Sequence, residues 1–290
     1  MITKAKKSLG QNFLINPHII DRIIAASEIE KDDIILEVGP GTGNLTKKLA
    51  KKAKQVIAVE KDRRLIGPLK EIFSAKDGPA FGEKNYPNVE IIEEDILDTK
   101  VPFVIQRAPL YSHNYKIVAN IPYYITSKFL RILFEKWPTP KLIVLTIQKE
   151  VAQRIMAKSP HMNLLALSIQ YYSAPEIIGY VSKNNFRPIP KVDSAIIRLR
   201  PRDPLRQSYS EVSKKQETRQ GTENLFKLIR AGFSEKRKQL ASVLAKKFKI
   251  PKEKIVSTLQ SIDIDVRARA ENLTLEQWIL ALKELKKYGQ

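Results

Sequence analysis

Three glycines at alternate positions, in Glu37-Val38-Gly39-Pro40-Gly41-Thr42-Gly43, follow the apolar run Ile34-Ile35-Leu36 and precede a helical pattern over residues 44–53. No other stretch limits the fold as much. Glycine lets the backbone come close to a ligand, and the following helix turns its free N–H groups toward that ligand. A dinucleotide fingerprint would need glycine where Asn44 stands, and a phosphate-cradling loop would need Gly-Lys-Ser/Thr; neither is present. A G-x-G-x-G loop between strand and helix leaves S-adenosylmethionine as the leading ligand.

The surrounding pattern repeats the strand-then-helix order. Residues 34–38, 55–60, 89–93, 115–119 and 142–147 are short apolar runs, with a helical pattern at 65–73 among the segments between them. Strands joined by helices imply right-handed crossovers and a parallel sheet covered on both faces. Residues 166–172 and 194–199 alternate more and predict edge strands, as an antiparallel pair. Stretches 74–87 and 100–114, rich in Pro, Gly and polar residues, read as surface loops, the second over the site. The polar stretch 203–222 reads as a linker. Helical patterns follow at 223–233, 235–248, 251–259 and 274–288, the last with Leu275, Trp278, Ile279, Leu282 and Leu285 on one face. The expected organisation is therefore an α/β ligand-binding domain over residues 1–202, a linker over 203–222, and a small all-helical basic domain over 223–290.

Acidic residues fall where the glycine-loop ligand needs them. Glu37 closes the first run beside that loop, Glu60 the second, and Asp95 follows the third. A carboxylate at the position of Glu60 can accept both hydroxyls of a ribose, and Asp95 stands where it can take an adenine amino group. The fourth run ends in Asn120-Ile121-Pro122-Tyr123-Tyr124. A plain strand exit needs no amide followed three residues later by a tyrosine. On the same rim, the Asn120 carbonyl and the Ile121 backbone carbonyl can accept hydrogen bonds from an exocyclic adenine amine. Those bonds favour the nucleophilic form of the nitrogen. Pro122 fixes the chain direction and Tyr123 can stack on the purine, whereas Tyr124 is read as turning to the core. Phe186, between polar residues and two prolines, is a poor core element; stacking on an extruded base would explain an exposed position.

Charge narrows the partner. Lys and Arg number 51 against 31 Asp and Glu, a net +20, and the excess is clustered. Lys4, Lys6 and Lys7 meet no acid in the first twenty residues. Lys227, Arg230, Lys236, Arg237, Lys238, Lys246, Lys247 and Lys249 are opposed between 225 and 249 by Glu235 alone. Two basic clusters are the footprint of a nucleic-acid binder. With no cysteine there is no disulfide, thiolate metal site or cysteine nucleophile, and no metal site is expected. No apolar run reaches the roughly eighteen residues of a membrane span, and residues 1–14 lack an apolar signal region. A cytoplasmic monomer without membrane contact is expected.

Taken in order, Lys7-Ser8-Leu9-Gly10-Gln11-Asn12-Phe13-Leu14, EVGPGTGNLT from Glu37, Glu60, Asp95, NIPY from Asn120, FRPIPKVDS from Phe186 and RAGFSEKRKQL from Arg230 resemble the small-subunit ribosomal RNA adenine dimethyltransferases. The resemblance covers nearly the whole chain. It implies a Rossmann-like class I S-adenosylmethionine-dependent methyltransferase sheet with a helical C-terminal domain. It also implies N6,N6-dimethylation of two adjacent adenosines in a hairpin loop near the 3′ end of small-subunit rRNA, within an assembling 30S-type particle. Cofactor contacts would fall on Asn12, Leu14, Gly39, Gly41, Glu60, Asp95 and Asn120. Target-base contacts would fall on Asn120, Tyr123 and Phe186, and RNA contacts on Lys7, Arg230, Lys236, Arg237 and Lys238. The alternatives are the related class that dimethylates a large-subunit adenine and confers macrolide resistance, and a non-catalytic RNA-binding assembly factor on the same fold. The stretches after Phe73 and Lys100 are longer than the family pattern, and Ser159-Pro160-His161-Met162 replaces a glycine-containing loop.

Overall fold

The structure, a computed structural model, describes residues 5–73, 86–98, 115–202 and 212–288, without the side chains of Lys7, residues 212–219 and Tyr288. Two compact units are present: residues 1–152 with 174–201, and residues 153–173 with 202–290.

The first unit is built on a seven-stranded sheet. Its strands are β2 (Ile34–Val38), β3 (Gln55–Glu60), β4 (Val89–Glu93), β5 (Tyr115–Asn120), β6 (Leu142–Gln148), β7 (Ser173–Val181) and β9 (Ser194–Pro201), in the order β4-β3-β2-β5-β6-β9-β7. A separate two-residue pair joins β1 (Phe13–Leu14) to β8 (Phe186–Arg187). The pairs from β4 through β6 are parallel, and β9 runs antiparallel to β6. Every residue of β2 is buried, as a strand covered on both faces requires. The chain leaves β2 toward β3 and β4, then returns to lay β5 against the other side of β2. That reversal is where open parallel sheets hold ligands.

Helices α1 (Pro17–Ala26), α2 (Asn44–Ala50), α3 (Arg63–Phe73), α4 (Thr126–Lys136) and α5 (Lys149–Ile155) connect these strands. Helix α1 starts at a cap: the Asn16 side chain accepts from His18 N at 2.9 Å, and Pro17 takes the first helical position. Ile20, Ile23 and Ile24 then bury one face. At the sheet edge remote from the glycine loop, buried Lys116 of β5 pairs with buried Asp33 at 2.7 Å.

The second unit contains α6 (Leu164–Tyr172), α7 (Val212–Gly232), α8 (Leu240–Phe248), α9 (Lys252–Ser261) and α10 (Leu275–Leu285). Its core gathers Ile229, Leu240, Leu244, Ile255, Leu259 and a fully buried Trp278. Thr274 and Gln277 cap α10 reciprocally, at 2.9 and 3.2 Å.

Four sequence expectations change. Residues 166–172 are helical, because Asn163 caps the segment by accepting from Ala166 N at 3.0 Å; they belong to the second unit. The neighbour of β9 is instead β7, so β9 is interior to the sheet. The stretch read as a linker is helical from Val212, since Lys, Gln, Glu and Arg are good helix formers and polarity alone does not make a loop. The pattern at 235–248 begins its helix only at Leu240, after a 3₁₀ turn over Phe233–Glu235. The proposed surface loops fall almost entirely outside the described residues.

Candidate active site

At the carboxyl ends of the parallel strands lies a cleft with about 750 Å³ of free space, part of it open to solvent. Four segments wall it: residues 9–13, the glycine loop after β2, residues 59–61 with 94–96, and residues 120–125. A smaller adjoining cavity of about 330 Å³ includes Leu14, Glu37, Gly39, Asn44 and Asn120. The loop glycines have distinct jobs. Gly41 has φ +59°, and a Cβ there would stand 2.9 Å from the Phe13 ring. Gly39 has φ +70° with nothing within 4 Å of where its Cβ would stand. Gly41 is needed for packing of the loop against Phe13, and Gly39 leaves an open cradle beside the cavity.

Glu60 is buried at the end of β3, accepting from Asp62 N at 2.8 Å through Oε1 and from Gly41 N at 3.2 Å through Oε2. Burial raises its pKa, against those backbone donors. Each oxygen keeps a second lone pair, enough for two further hydroxyl donors. Asp95 lines the cavity with Oδ2 on Lys61 at 2.7 Å and Oδ1 on Leu97 N at 3.0 Å. Burial works to raise its pKa, but the Lys61 ammonium and the Leu97 N–H outweigh it, and the net shift is downward. Glu37 is wholly buried, and that burial pushes its carboxyl up to about 8, with nearby Glu60 adding to the shift and Thr46 opposing it. Its Oε2 has no partner among the described residues.

Asn120 ends β5 on this rim. Its Nδ2 donates to the Asn12 carbonyl at 3.0 Å, while its Oδ1 is buried without a partner among the described residues. A buried unpartnered carbonyl oxygen is costly, and one beside a cavity is an acceptor kept open for an incoming N–H. Tyr123 also lines the cavity, its hydroxyl 2.6 Å from Ser194 Oγ, and burial raises its pKa. That bond leaves the ring held by its polar end.

Of the residues singled out in the sequence, Asn12, Gly39, Gly41, Glu60, Asp95, Asn120 and Tyr123 line the main cavity; Leu14 lines the smaller one. Tyr124 corrects the expectation of a core position: it is 61% exposed and lines the cavity mouth. Phe186 corrects the opposite expectation. It is 0% exposed, paired in β8 with Leu14 and packed in the core of the first unit; the strand pairing turns its ring inward despite polar neighbours in sequence. It does not line the cavity. Arg230, Lys236, Arg237 and Lys238 are exposed in the second unit, and the Lys7 side chain lies outside the described ones. Sequence reasoning passed over Lys61, which pairs with Asp95, and Asp62, which is bonded to Gln11. Nothing in the local pattern distinguishes those two from ordinary loop charges. Among the described residues, no group of His, Asp or Glu could hold a metal ion and no helix is long and apolar enough to cross a membrane.

Comparison with known proteins finds relatives along most of the chain. A protein of Dehalococcoides mccartyi named ribosomal RNA small subunit methyltransferase A is 42% identical over 277 residues, covering 95% of this chain and 86% of its own. One of the same name from Lachnoclostridium phytofermentans is 39% identical over 281 residues, covering 94% and 89%. Among solved structures, a dimethyladenosine transferase from Plasmodium falciparum superposes with TM-score 0.75 at 29% identity, over 96% of this chain and 98% of that one. The 23S rRNA methyltransferase ErmE superposes with TM-score 0.70 at 28% identity, over 95% and 100%. The sequence model of the family described as ribosomal RNA adenine dimethylase matches residues 2–287, and it is to this family that the chain belongs.

Proposed function

We propose that the protein is an S-adenosylmethionine-dependent rRNA adenine dimethyltransferase that converts two adjacent adenosines near the 3′ end of small-subunit rRNA to N6,N6-dimethyladenosine. One observation carries the reading: Asn120 stands at the switch point of the sheet with its amide nitrogen anchored and its carbonyl oxygen unpartnered. The residues present fit the cofactor. Gly39 leaves the backbone cradle open, Glu60 keeps acceptor capacity for a ribose, and Asp95 stands on the rim beside them. When bound, S-adenosylmethionine supplies an electrophilic methyl on sulfur.

The protein's part is positioning and electrostatics. An adenine amine is a poor nucleophile because its lone pair is delocalised into the ring. Asn120 Oδ1 and the Ile121 carbonyl accept its two N–H groups and draw the nitrogen toward a tetrahedral geometry. Tyr123, held by Ser194, offers a ring face for the purine. No strong base is needed, because the proton is acidic once the methyl is attached. Each adenosine passes through the site twice, and in the second transfer its amine carries a single N–H, which one of the two acceptors holds. A loop target suits the site, since an unpaired base costs less to extrude than a paired one. Phe186 is assigned no stacking role, since its ring is buried beneath Leu14's strand.

The small-subunit assignment draws support from relatives 34–42% identical that bear the small-subunit name, against 28% for the large-subunit enzyme ErmE. The test is transfer of labelled methyl to undermethylated small subunits, with the products mapped. Label on two neighbouring small-subunit adenosines is expected. Label on large-subunit rRNA would favour the resistance class, and tight RNA binding with no transfer would favour an assembly factor. We further propose a monomer acting on the assembling small particle in the cytoplasm.

A further inference from the structure

Gln11 holds two groups at once. Its Oε1 accepts the backbone N–H of Lys6 at 2.7 Å, and its Nε2 donates to Asp62 Oδ2 at 2.7 Å. Asp62 is buried and is gripped by Arg64, through Nη2 at 2.6 Å, Nε at 2.9 Å and the backbone N–H at 3.2 Å. Arg64 holds the Asp62 carboxyl down at about 2, so it is a charged acceptor at neutral pH. The segment 6–12 is thereby tied to the turn after β3, and residues 9–12 form one wall of the cavity. At the far end of the same segment, the Asn12 carbonyl accepts Asn120 Nδ2 at 3.0 Å.

A carboxamide has two orientations of nearly identical shape. Rotated by half a turn, Asn120 would offer an NH₂ where the substrate amine needs an oxygen, and two donors would face each other. Among the described residues, the bond to Asn12 is what distinguishes the two orientations, because Oδ1 has no partner. We propose that Gln11 and Asp62 are positioning residues for methyl transfer: their hydrogen bond fixes the segment 6–12, and through the Asn12 carbonyl it keeps the Asn120 amide oxygen free for the target amine. The inference rests on the methyltransferase reading and adds to it how the reactive orientation is selected.

Two experiments test it, both reading kcat at saturating cofactor and small subunits. Gln11→Glu sets a carboxylate against Asp62 and opens the clamp. This variant is expected to lose about tenfold or more in kcat. Separately, Gln11→Ala is made in the natural protein and in an Asn120→Asp background, where either orientation offers an oxygen. A loss of about tenfold is expected in the first and less than about twofold in the second. Unchanged kcat in Gln11→Glu, or equal losses from Gln11→Ala in both backgrounds, would overturn the proposal. Absence of transfer by the natural protein would instead overturn the methyltransferase reading itself.

Discussion

Under the proposed mechanism, Asn120→Ala removes an acceptor for the target amine, together with the bond to the Asn12 carbonyl. Loss of one transition-state hydrogen bond costs about 2–4 kcal/mol, roughly two to three orders of magnitude in kcat. RNA affinity, measured by filter binding, should stay nearly the same, and weakened binding with normal turnover would contradict the role. Glu37 makes a prediction of a different kind. Its carboxyl sits at about 8 in the folded protein, against 4.5 for an unburied glutamate. Between those values the folded state keeps a proton that the unfolded chain has released. Stability therefore falls as pH rises through this window, by up to about 1.4 kcal/mol per pH unit, and levels off above it. Glu37→Gln should flatten that slope, as read from urea midpoints between about pH 5 and pH 8. Glu37 was legible in the sequence as a rim acid; that it is buried enough to hold its proton was not, because that depends on how tightly the glycine loop closes over it.

At the level of the elements, β5 carries a polar residue at each end of its working length. Asn120 faces the cavity, and Lys116 is buried on Asp33, with Lys141 at 4.0 Å the only other cation on that carboxylate among the described residues. Lys116→Met would leave the Asp33 charge buried with a distant partner, and a loss of about 3 kcal/mol is expected from thermal or urea unfolding. A change below about 1 kcal/mol would mean that water or Lys141 replaces the lost ammonium. The buried parallel strands were the most legible elements: β2, β3 and β4 run over the residues that their apolar runs mark. Helix α1 went unread although Asn16-Pro17 is a start signal and Ile20, Ile23 and Ile24 stand at helical spacing. Residues 164–172 defeated pattern reading more deeply. Leu167, Ile169 and Tyr171 alternate with Ser168 and Gln170 as in a strand, and the helix capped by Asn163 overrides that period. Phe186 and Tyr124 exchanged places for a related reason. Exposure at a strand exit is set by pairing partners far away in sequence, here Leu14 for Phe186.

For the whole molecule the dominant number is the net charge of +20. Lys236, Arg237 and Lys238 are exposed and carry no ion pair among the described residues, whereas Lys246 is engaged by Glu235 at 3.3 Å. Replacing the first three by alanine should shallow the slope of log affinity against log salt by about 2 to 3 for small-subunit RNA. An unchanged slope would return them to a role in solubility. The pairing of β1 with β8 reaches furthest across the chain. Phe13 and Leu14 lie against Arg187 and Phe186, and next to them Ile15 N donates to the Asn185 carbonyl at 3.0 Å and Asn16 Nδ2 to Asn185 Oδ1 at 2.7 Å. During translation, residues 13–16 leave the ribosome some 170 residues before the stretch they zip against. A nascent chain that ends before residue 186 lacks β8 and β9 and leaves one wall of the cavity unfastened, so the catalyst of a ribosome-maturation step becomes competent only late in its own synthesis.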